Sequence, residues 1–342
     1  MWHGHLAHEL LWFLRIGQGH SMRAGRPRHI PAKAASLVIM LLLAAGITSS
    51  QPSGVPSGQR GAPATGPAAS RPTSASSPTT RPGSLCIATY NINYGNPDLK
   101  AVVETIRKLR ADVVAIQELN GESQDFLARQ LGNDFKFIYP HPTKLAGGFD
   151  ILSRLELKDV HYLPSQGSFE TQVGQLDFDG KKVQIVNVHL CPTLPKDAKN
   201  LKVVMDTFEQ AEAVRTREIQ FISKSIKPDM PTIVLGDFNS FSNMFAVEFM
   251  TGNKYIDSFA SVTVVPDIHP TWHWPMPKNP NNEWKFRLDY ILHTPDLETT
   301  RSRIIAAGPS DHYPVVSELR WTTKPATAPA SGPASAPADG RP

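Results

Sequence analysis

The sequence predicts a mixed α/β domain of two sheets stacked face to face with helices outside. Three observations carry that prediction: strand-length apolar runs alternate with helical patterns near both ends of residues 84–321, hairpin-like runs fill the middle, and no internal repeat of fixed period is present. The flanks are not expected to fold. Residues 50–83 are rich in Ser, Pro, Thr, Ala and Gly and residues 322–342 in Pro and Ala, so neither holds enough apolar side chain to offset ordering entropy; they read as a disordered linker and tail.

Within 84–321, Leu85–Asn91 reads as a buried strand, and Val102, Val103, Ile106 and Leu109 recur at helical spacing over Leu99–Leu109 with Asp98 as its cap. A strand over Val113–Gln117 and a helix over Ser123–Leu131 follow. Strands are then expected at Lys136–Tyr139, Phe149–Ser153, Glu156–Leu163, Phe169–Phe178 and Lys182–Leu190, the last two joined by the turn pair Asp179-Gly180. A long helix over Leu201–Ile226, a strand at Thr232–Leu235 and a helix at Met244–Met250 come next. The Trp- and Pro-rich stretch Val262–Trp284 reads as irregular, before strands Phe286–His293, Ser302–Ala306 and Tyr313–Arg320.

The formal charge of +4 belongs to the flanks: they hold 10 Lys or Arg against 2 Asp or Glu, leaving 25 basic and 29 acidic residues in the core. A nonspecific nucleic-acid binder carries a basic footprint, which this core lacks in bulk. Arg23, Arg26, Arg28 and Lys33 precede the apolar run Ala34–Ile47, so residues 1–49 read as an export signal, with Met22 an alternative start. The protein is therefore expected outside the cytoplasm, periplasmic, extracellular or surface-tethered, and cleavage is favoured over anchoring because the run is short for a span. Cys86 and Cys191 are expected as two unbridged thiols, since a strand rise separates Cys86 from the site end by roughly 16 Å.

Short polar signatures end the apolar runs. They are Asn91 in Ala-Thr-Tyr-Asn-Ile, Glu118 in Ile-Gln-Glu, Asn187 and His189 in Val-Asn-Val-His-Leu, Asp237 and Asn239 in Leu-Gly-Asp-Phe-Asn, Asp289 in Arg-Leu-Asp-Tyr-Ile, and Asp311-His312 in Ser-Asp-His. Carboxylates, carboxamides and imidazoles gathered at strand ends can hold a hard divalent cation and activate water. Glu118 is the best first ligand, and Asn91 ends the neighbouring strand. Asn187 and His189, two apart on one strand, share a face and could contact a phosphoryl oxygen. Asp237 could orient or deprotonate water while Asn239 donates to developing charge. Asp289 needs a partner if buried, either His312 or Arg287. Thr271, Trp272 and Trp274 read as loop packing or the lining of an entrance.

In this order the motifs resemble the endonuclease/exonuclease/phosphatase superfamily, over essentially all of residues 85–321. The resemblance implies a four-layered α/β/β/α sandwich of two mixed, mainly antiparallel sheets, with the site at one edge between them. It implies a metal group of Asn91, Glu118 and Asp311 binding Mg²⁺, with Mn²⁺ as a substitute. His189, Asp237, Asn239, Asp289 and His312 would be catalytic, and Asn187, Asn239 and His189 would hold phosphate. Asn93 stands where some branches carry an acidic residue. The implied chemistry is attack of activated water on a phosphodiester or phosphomonoester, with either His312 or Asp237 as base, by a monomer without an obligate protein partner. Nucleic acid, phospholipid and small phosphoesters stay open as substrates. A surface-binding module without activity is the alternative of a different class.

Overall fold

A computed structural model describes residues 83–141, 147–193, 201–276 and 279–323. The expected signal, linker and all but the first residues of the tail lie outside the described residues. Fourteen strands form two six-stranded sheets and one hairpin. The first sheet runs β13-β14-β1-β2-β4-β3, from β1 (Leu85–Asn91), β2 (Val113–Leu119), β3 (Phe137–His141), β4 (Gly148–Ser153), β13 (Leu297–Ile304) and β14 (Val315–Trp321). The second runs β5-β6-β7-β8-β12-β9, from β5 (Leu157–Leu163), β6 (Thr171–Phe178), β7 (Lys181–His189), β8 (Thr232–Asp237), β9 (Ile256–Asp257) and β12 (Asp289–His293). Each sheet holds one parallel pair, β1 with β2 and β7 with β8, and antiparallel partners outside it.

A parallel pair needs a crossover, and here it is a helix in each case. Helix α1 (Leu99–Leu109) links β1 to β2, and α3 (Leu201–Ser225) links β7 to β8. The Asp98 carboxylate accepts the Ala101 N–H at 2.9 Å, as the sequence predicts for a cap. Helix α2 (Gly121–Leu131) starts two residues ahead of the expected Ser123, because Asn120 and Ser123 form a reciprocal capping box. The short helices α4 (Phe245–Gly252) and α5 (Ser258–Val262) follow β8 and β9.

Three apolar layers hold these parts together. Leu85, Ile87, Val113, Ala115, Val183, Ile185, Ile233 and Leu235 pack between the sheets. Alternate residues of the same strands face outward, where Ala88, Val114 and Ile116 meet Val102, Ile106 and Leu109 of α1. On the other side Val186, Val188 and Val234 meet Ile219 and Ile222 of α3. Strand period two and helix period 3.6 thus produce a four-layered α/β/β/α sandwich. Cys86 and Cys191 form no disulfide. No helix among the described residues is long and apolar enough to cross a membrane.

Three expectations are corrected here. The stretch read as irregular contains a hairpin arm, β10 (Trp272–Met276) paired with β11 (Asn279–Phe286). The expected strand Phe286–His293 is two strands: β11 pairs with β10 alone, then the chain steps at Arg287-Leu288 into β12, which pairs with β8. Pro275 and two Trp residues hide the alternation that would mark a strand. Likewise β13 begins at Leu297, ahead of the expected Ser302, with a bulge between Thr299 and Arg301 that breaks the period.

Gly236 sets the geometry at the mouth of the second sheet. Its φ is 145°, and a Cβ there would lie 1.9 Å from the Val188 carbonyl oxygen across the parallel pair. Gly180 in the β6–β7 turn has φ 76° with open space around it. Gly236→Ala is therefore expected to cost about 3 kcal/mol or more, from overpacking plus backbone strain, and Gly180→Ala only about 1 kcal/mol. Equilibrium denaturant unfolding of both variants measures the difference; similar losses would refute the close-approach argument.

Candidate active site

The inner faces of the central strands change character along their length. Leu85 and Ile87 give way to Thr89 and Asn91 on β1, Val183 and Ile185 to Asn187 and His189 on β7, and Ile233 and Leu235 to Asp237 on β8. All of these polar side chains are buried. The apolar core thereby ends in a polar layer between the sheets, and the expected site residues lie at its rim.

Asp237 is at the centre. Its Oδ2 accepts the Asn91 Nδ2–H at 3.1 Å and the Asn239 Nδ2–H at 3.2 Å, and its Oδ1 accepts the Asn239 backbone N–H at 2.8 Å. His189 Nε2 lies 3.6 Å and His312 Nε2 3.7 Å from the same Oδ2, too far for hydrogen bonds but close for charge. Glu118, His189 and Asp237 present ligand atoms within 4.8 Å of one another, as do Asp237, Asp289 and His312. Neither ring nitrogen of His189 makes a hydrogen bond among the described residues, and the ring stacks on Phe169 at 4.1 Å.

Glu118 reaches this point through a bulge. Gln117 opposes Phe149 and Leu119 opposes Gly148, so Glu118 is the extra residue, held at φ 61°. Regular pleating would send Gln117 and Glu118 to opposite faces; the bulge lets both point toward the space between the sheets. Asn93 and Asn239 also have positive φ, at 59° and 47°, so three non-glycine residues of the site occupy the left-handed region.

Asp289 pairs with His312, not with Arg287. The His312 Nδ1 to Asp289 Oδ2 distance is 2.9 Å, whereas Arg287 donates to Asp257 at 2.7 Å and Asp267 at 3.0 Å. The Thr271 hydroxyl oxygen accepts the Leu288 and Asp289 backbone N–H groups, both at 2.9 Å, and Trp272 bridges to His312. These loop residues, read from sequence as packing, brace the Asp289–His312 pair. Only their contacts reveal this, because a Thr-Trp step in a loop carries no local signal.

Asn187, Asn91 and Asp311 each make further contacts that bear on their place in the site. Asn187 sits beneath the site: its Oδ1 accepts the Gln117 Nε2–H at 2.7 Å, and its Nδ2 donates to the Ile116 and Asp150 carbonyls at 3.2 and 3.3 Å. It is fully buried and ties the two sheets together. Asn91 turns its Nδ2, not its oxygen, toward Glu118 and Asp237, while its Oδ1 accepts the Asn93 N–H at 3.0 Å. Asn91 thereby holds the two carboxylates together. Asp311 belongs to neither tight group; its oxygens accept Asn93 Nδ2–H at 2.9 Å and Trp272 Nε1–H at 3.1 Å. The Asn93 carboxamide thereby fixes Asp311.

Burial drives the electrostatics. It pushes the Asp237 carboxyl up to about 7, reinforced by Asp289 and Glu118 and only partly offset by His312. Burial also raises Glu118, against hydrogen bonding from Asn91. It opposes the His312 cation as well, but Asp289, Asp237 and Asp311 outweigh it and push that imidazole up to about 10. For His189 burial dominates and holds it down to about 3, with the His312 charge adding. A half-buried and a buried carboxylate beside a neutral imidazole with unbonded nitrogens are a donor set that fits a divalent cation.

The pattern of the Endonuclease/Exonuclease/phosphatase family matches residues 88–312, a span holding every side chain just described. The chain belongs to this family. Similar solved structures include an endonuclease/exonuclease/phosphatase family protein from Bacteroides thetaiotaomicron, 17% identical with a TM-score of 0.55 over 71% of this chain and 100% of that one. The endonuclease/exonuclease/phosphatase from Beutenbergia cavernae is 18% identical with a TM-score of 0.53 over 71% of this chain and 73% of that one. D. rerio TDP2 complexed with single-strand DNA product is 16% identical with a TM-score of 0.53 over 69% of this chain and 99% of that one. At such identities the likeness shows a shared fold. No curated protein matches the chain. Members of the endonuclease/exonuclease/phosphatase family are phosphoester hydrolases, generally metal-dependent.

Two outcomes are expected. A cation must displace the proton that Asp237 carries below about 7, so the rise in thermal midpoint on adding a divalent cation should be small near pH 5.5 and larger near pH 8, levelling off above the carboxyl's titration. Midpoints with and without cation across that range measure it, and an equal rise at both ends would contradict the assignment. Asn187→Ala should cost about 1–3 kcal/mol in denaturant unfolding, because it strands the Gln117 amide, while substrate KM stays near wild type.

Proposed function

We propose that this protein is an exported, Mg²⁺-dependent phosphodiesterase that uses Asp237 to activate water, with Mn²⁺ able to substitute. One observation carries the reading: Asp237 belongs at once to the group Glu118–His189–Asp237 and to the group Asp237–Asp289–His312, so a cation-holding set and a proton-handling set share one buried carboxylate. Glu118 is the carboxylate that would hold the cation, with His189 and Asp237 as the further donors at hand. Bound there, a divalent cation would polarise a nonbridging phosphoryl oxygen and offset developing negative charge.

The chain's own groups divide the remaining work. Asp289 orients His312 through Nδ1 and stabilises its cation, so His312 Nε2–H is a charged donor at neutral pH and a poor proton acceptor. Asp237, free of its proton once a cation is bound, is the group placed to orient or deprotonate water. Asn239 keeps Asp237 oriented through two hydrogen bonds and is itself fixed by the Leu190 carbonyl at 3.0 Å. His189 stays neutral, so it adds a donor or ligand atom without a competing charge. Water would then attack phosphorus in line, its proton passing to Asp237 while His312 protonates or stabilises the leaving oxygen.

Export is supported by the basic cluster Arg23–Lys33 ahead of the apolar run Ala34–Ile47. A nuclease reading draws on TDP2 of D. rerio, whose structure contains a single-strand DNA product.

Asp237→Asn and His312→Ala are each expected to lower kcat/KM on a chromogenic phosphodiester by about 100-fold or more, the usual contribution of a positioned acid or base. Magnesium-dependent turnover of plasmid DNA, phospholipid, inositol phosphates and the chromogenic diester, with both variants beside the wild type, measures this. Variants within a few-fold of wild type would overturn the roles, and silence on every substrate would favour a binding module.

A further inference from the structure

Two charged side chains one turn apart on α3, Arg215 and Glu218, are only 0% and 3% exposed, and both reach the backbone of Cys191. Glu218 Oε2 accepts the Cys191 N–H at 2.9 Å. Arg215 Nη1 donates to the Cys191 carbonyl at 2.8 Å and to the Thr193 hydroxyl at 3.1 Å. Cys191 is thereby held on both sides. The preceding residue carries that hold into the site: Leu190 donates its N–H to the Asp237 carbonyl at 2.9 Å, and its own carbonyl accepts the Asn239 Nδ2–H at 3.0 Å.

Glu218 also reaches a second segment. Its Oε1 accepts the Ser168 N–H at 2.9 Å, and the next residue, Phe169, stacks on His189. A Cβ on Gly167 would lie 2.3 Å from Val214 Cγ1, so this loop presses directly on α3. Phe169, His189, Leu190 and Glu218 line one small cleft. Arg215 extends the frame in the other direction, donating from Nε to Glu212 Oε2 at 3.0 Å, while Glu212 Oε1 accepts the Phe245 N–H at 2.9 Å where α4 begins. One face of α3 thus reaches the loop before β6, the end of β7 and the start of α4.

Packing alone does not require these charges. Ile219 and Ile222 already seat α3 on β7 and β8, and burying ionised groups costs free energy that apolar side chains avoid. Charge-assisted hydrogen bonds fix distance and direction more tightly than apolar contact does. Glu218 stands apart from both ligand groups around Asp237, so its contribution passes through the backbone it holds.

We propose that Glu218 and Arg215 are positioning residues: through Leu190 they set where Asn239 holds Asp237, and through Phe169 Glu218 sets where the His189 ring stands. The inference rests on the phosphoester-hydrolase reading above. The test uses the full chain with E218Q, R215K and the control I219V, which loosens the same helix without touching Cys191 or Ser168. On the soluble diester bis(para-nitrophenyl) phosphate, E218Q and R215K are expected to lower kcat about ten-fold with KM within about two-fold, while I219V stays within about two-fold in both. R215K keeps the charge without the forked geometry, and it carries the kinetic comparison should E218Q fail to fold. An I219V loss as large as theirs overturns the proposal, because any loosening of α3 would then suffice. Added to N239A, E218Q should lower kcat only about three-fold or less, since its main route is already gone; a full ten-fold loss there also overturns it. A second readout needs no turnover. With isotope-labelled histidine, the His189 ring signal is expected to move in E218Q as Phe169 shifts over it, while that of buried His293 stays in place. A His189 signal that does not move overturns the proposal. If it moves but the wild type turns over no phosphoester, the hydrolase reading fails while the positioning stands.

Discussion

Asp237 is 1% exposed, and the arrangement around it answers the free-energy cost of keeping a carboxylate out of water. Asn91 and Asn239 donate to it, His312 supplies a nearby positive charge, and Glu118 and Asp289 add repulsion that raises its proton affinity. A carboxyl balanced in this way is raised into the neutral range and is poised to lose its proton to a cation. Asn91 keeps Glu118 beside it by donating from a single amide nitrogen to both carboxylates. Removing the desolvation would leave an ordinary surface acid with neither property.

The sandwich supplies that environment because its inner faces are apolar at one end and polar at the other. Where the apolar part stops, Thr89, Gln117 and Asn187 form a bonded layer that satisfies itself across the two sheets. Above it, three residues held at positive φ aim their side chains where regular pleating would not. Strain of this kind persists only where surrounding contacts over-determine it. The capping box of α2 begins two residues past Glu118, and Gly148 crowds against Leu119, so the bulge has little room to relax.

The elements most legible in the sequence were those whose period is set by burial on one face. Strand Leu85–Asn91 and helix Leu99–Leu109 have the predicted bounds, and α3 differs by one residue at its end. The hairpin arm was missed because its alternation, as in Glu283-Trp284-Lys285-Phe286, is short and lies among Pro270, Pro275 and Pro280, which read as loop. Asn187 and His189 do share a face, yet they differ in depth by one strand step, which puts one in the inter-sheet network and the other at the rim. Local spacing reports the face of a strand and carries no information on how far along it the apolar layer ends.

Sequence alone determined the four-layer architecture and the identity of the polar strand-end residues, because periodicity and short motifs are properties of neighbouring positions. It left open whether Asp289 belonged to His312 or Arg287, which amide would clamp the carboxylates, and which acid would be raised into the neutral range. Those were decided by the stacking of the two sheets. Pairings such as Asn91 with Asp237, 146 residues apart, exist only once both strands are fixed in register. Desolvation, the main cause of the shifted Asp237, is likewise a property of the packed sandwich.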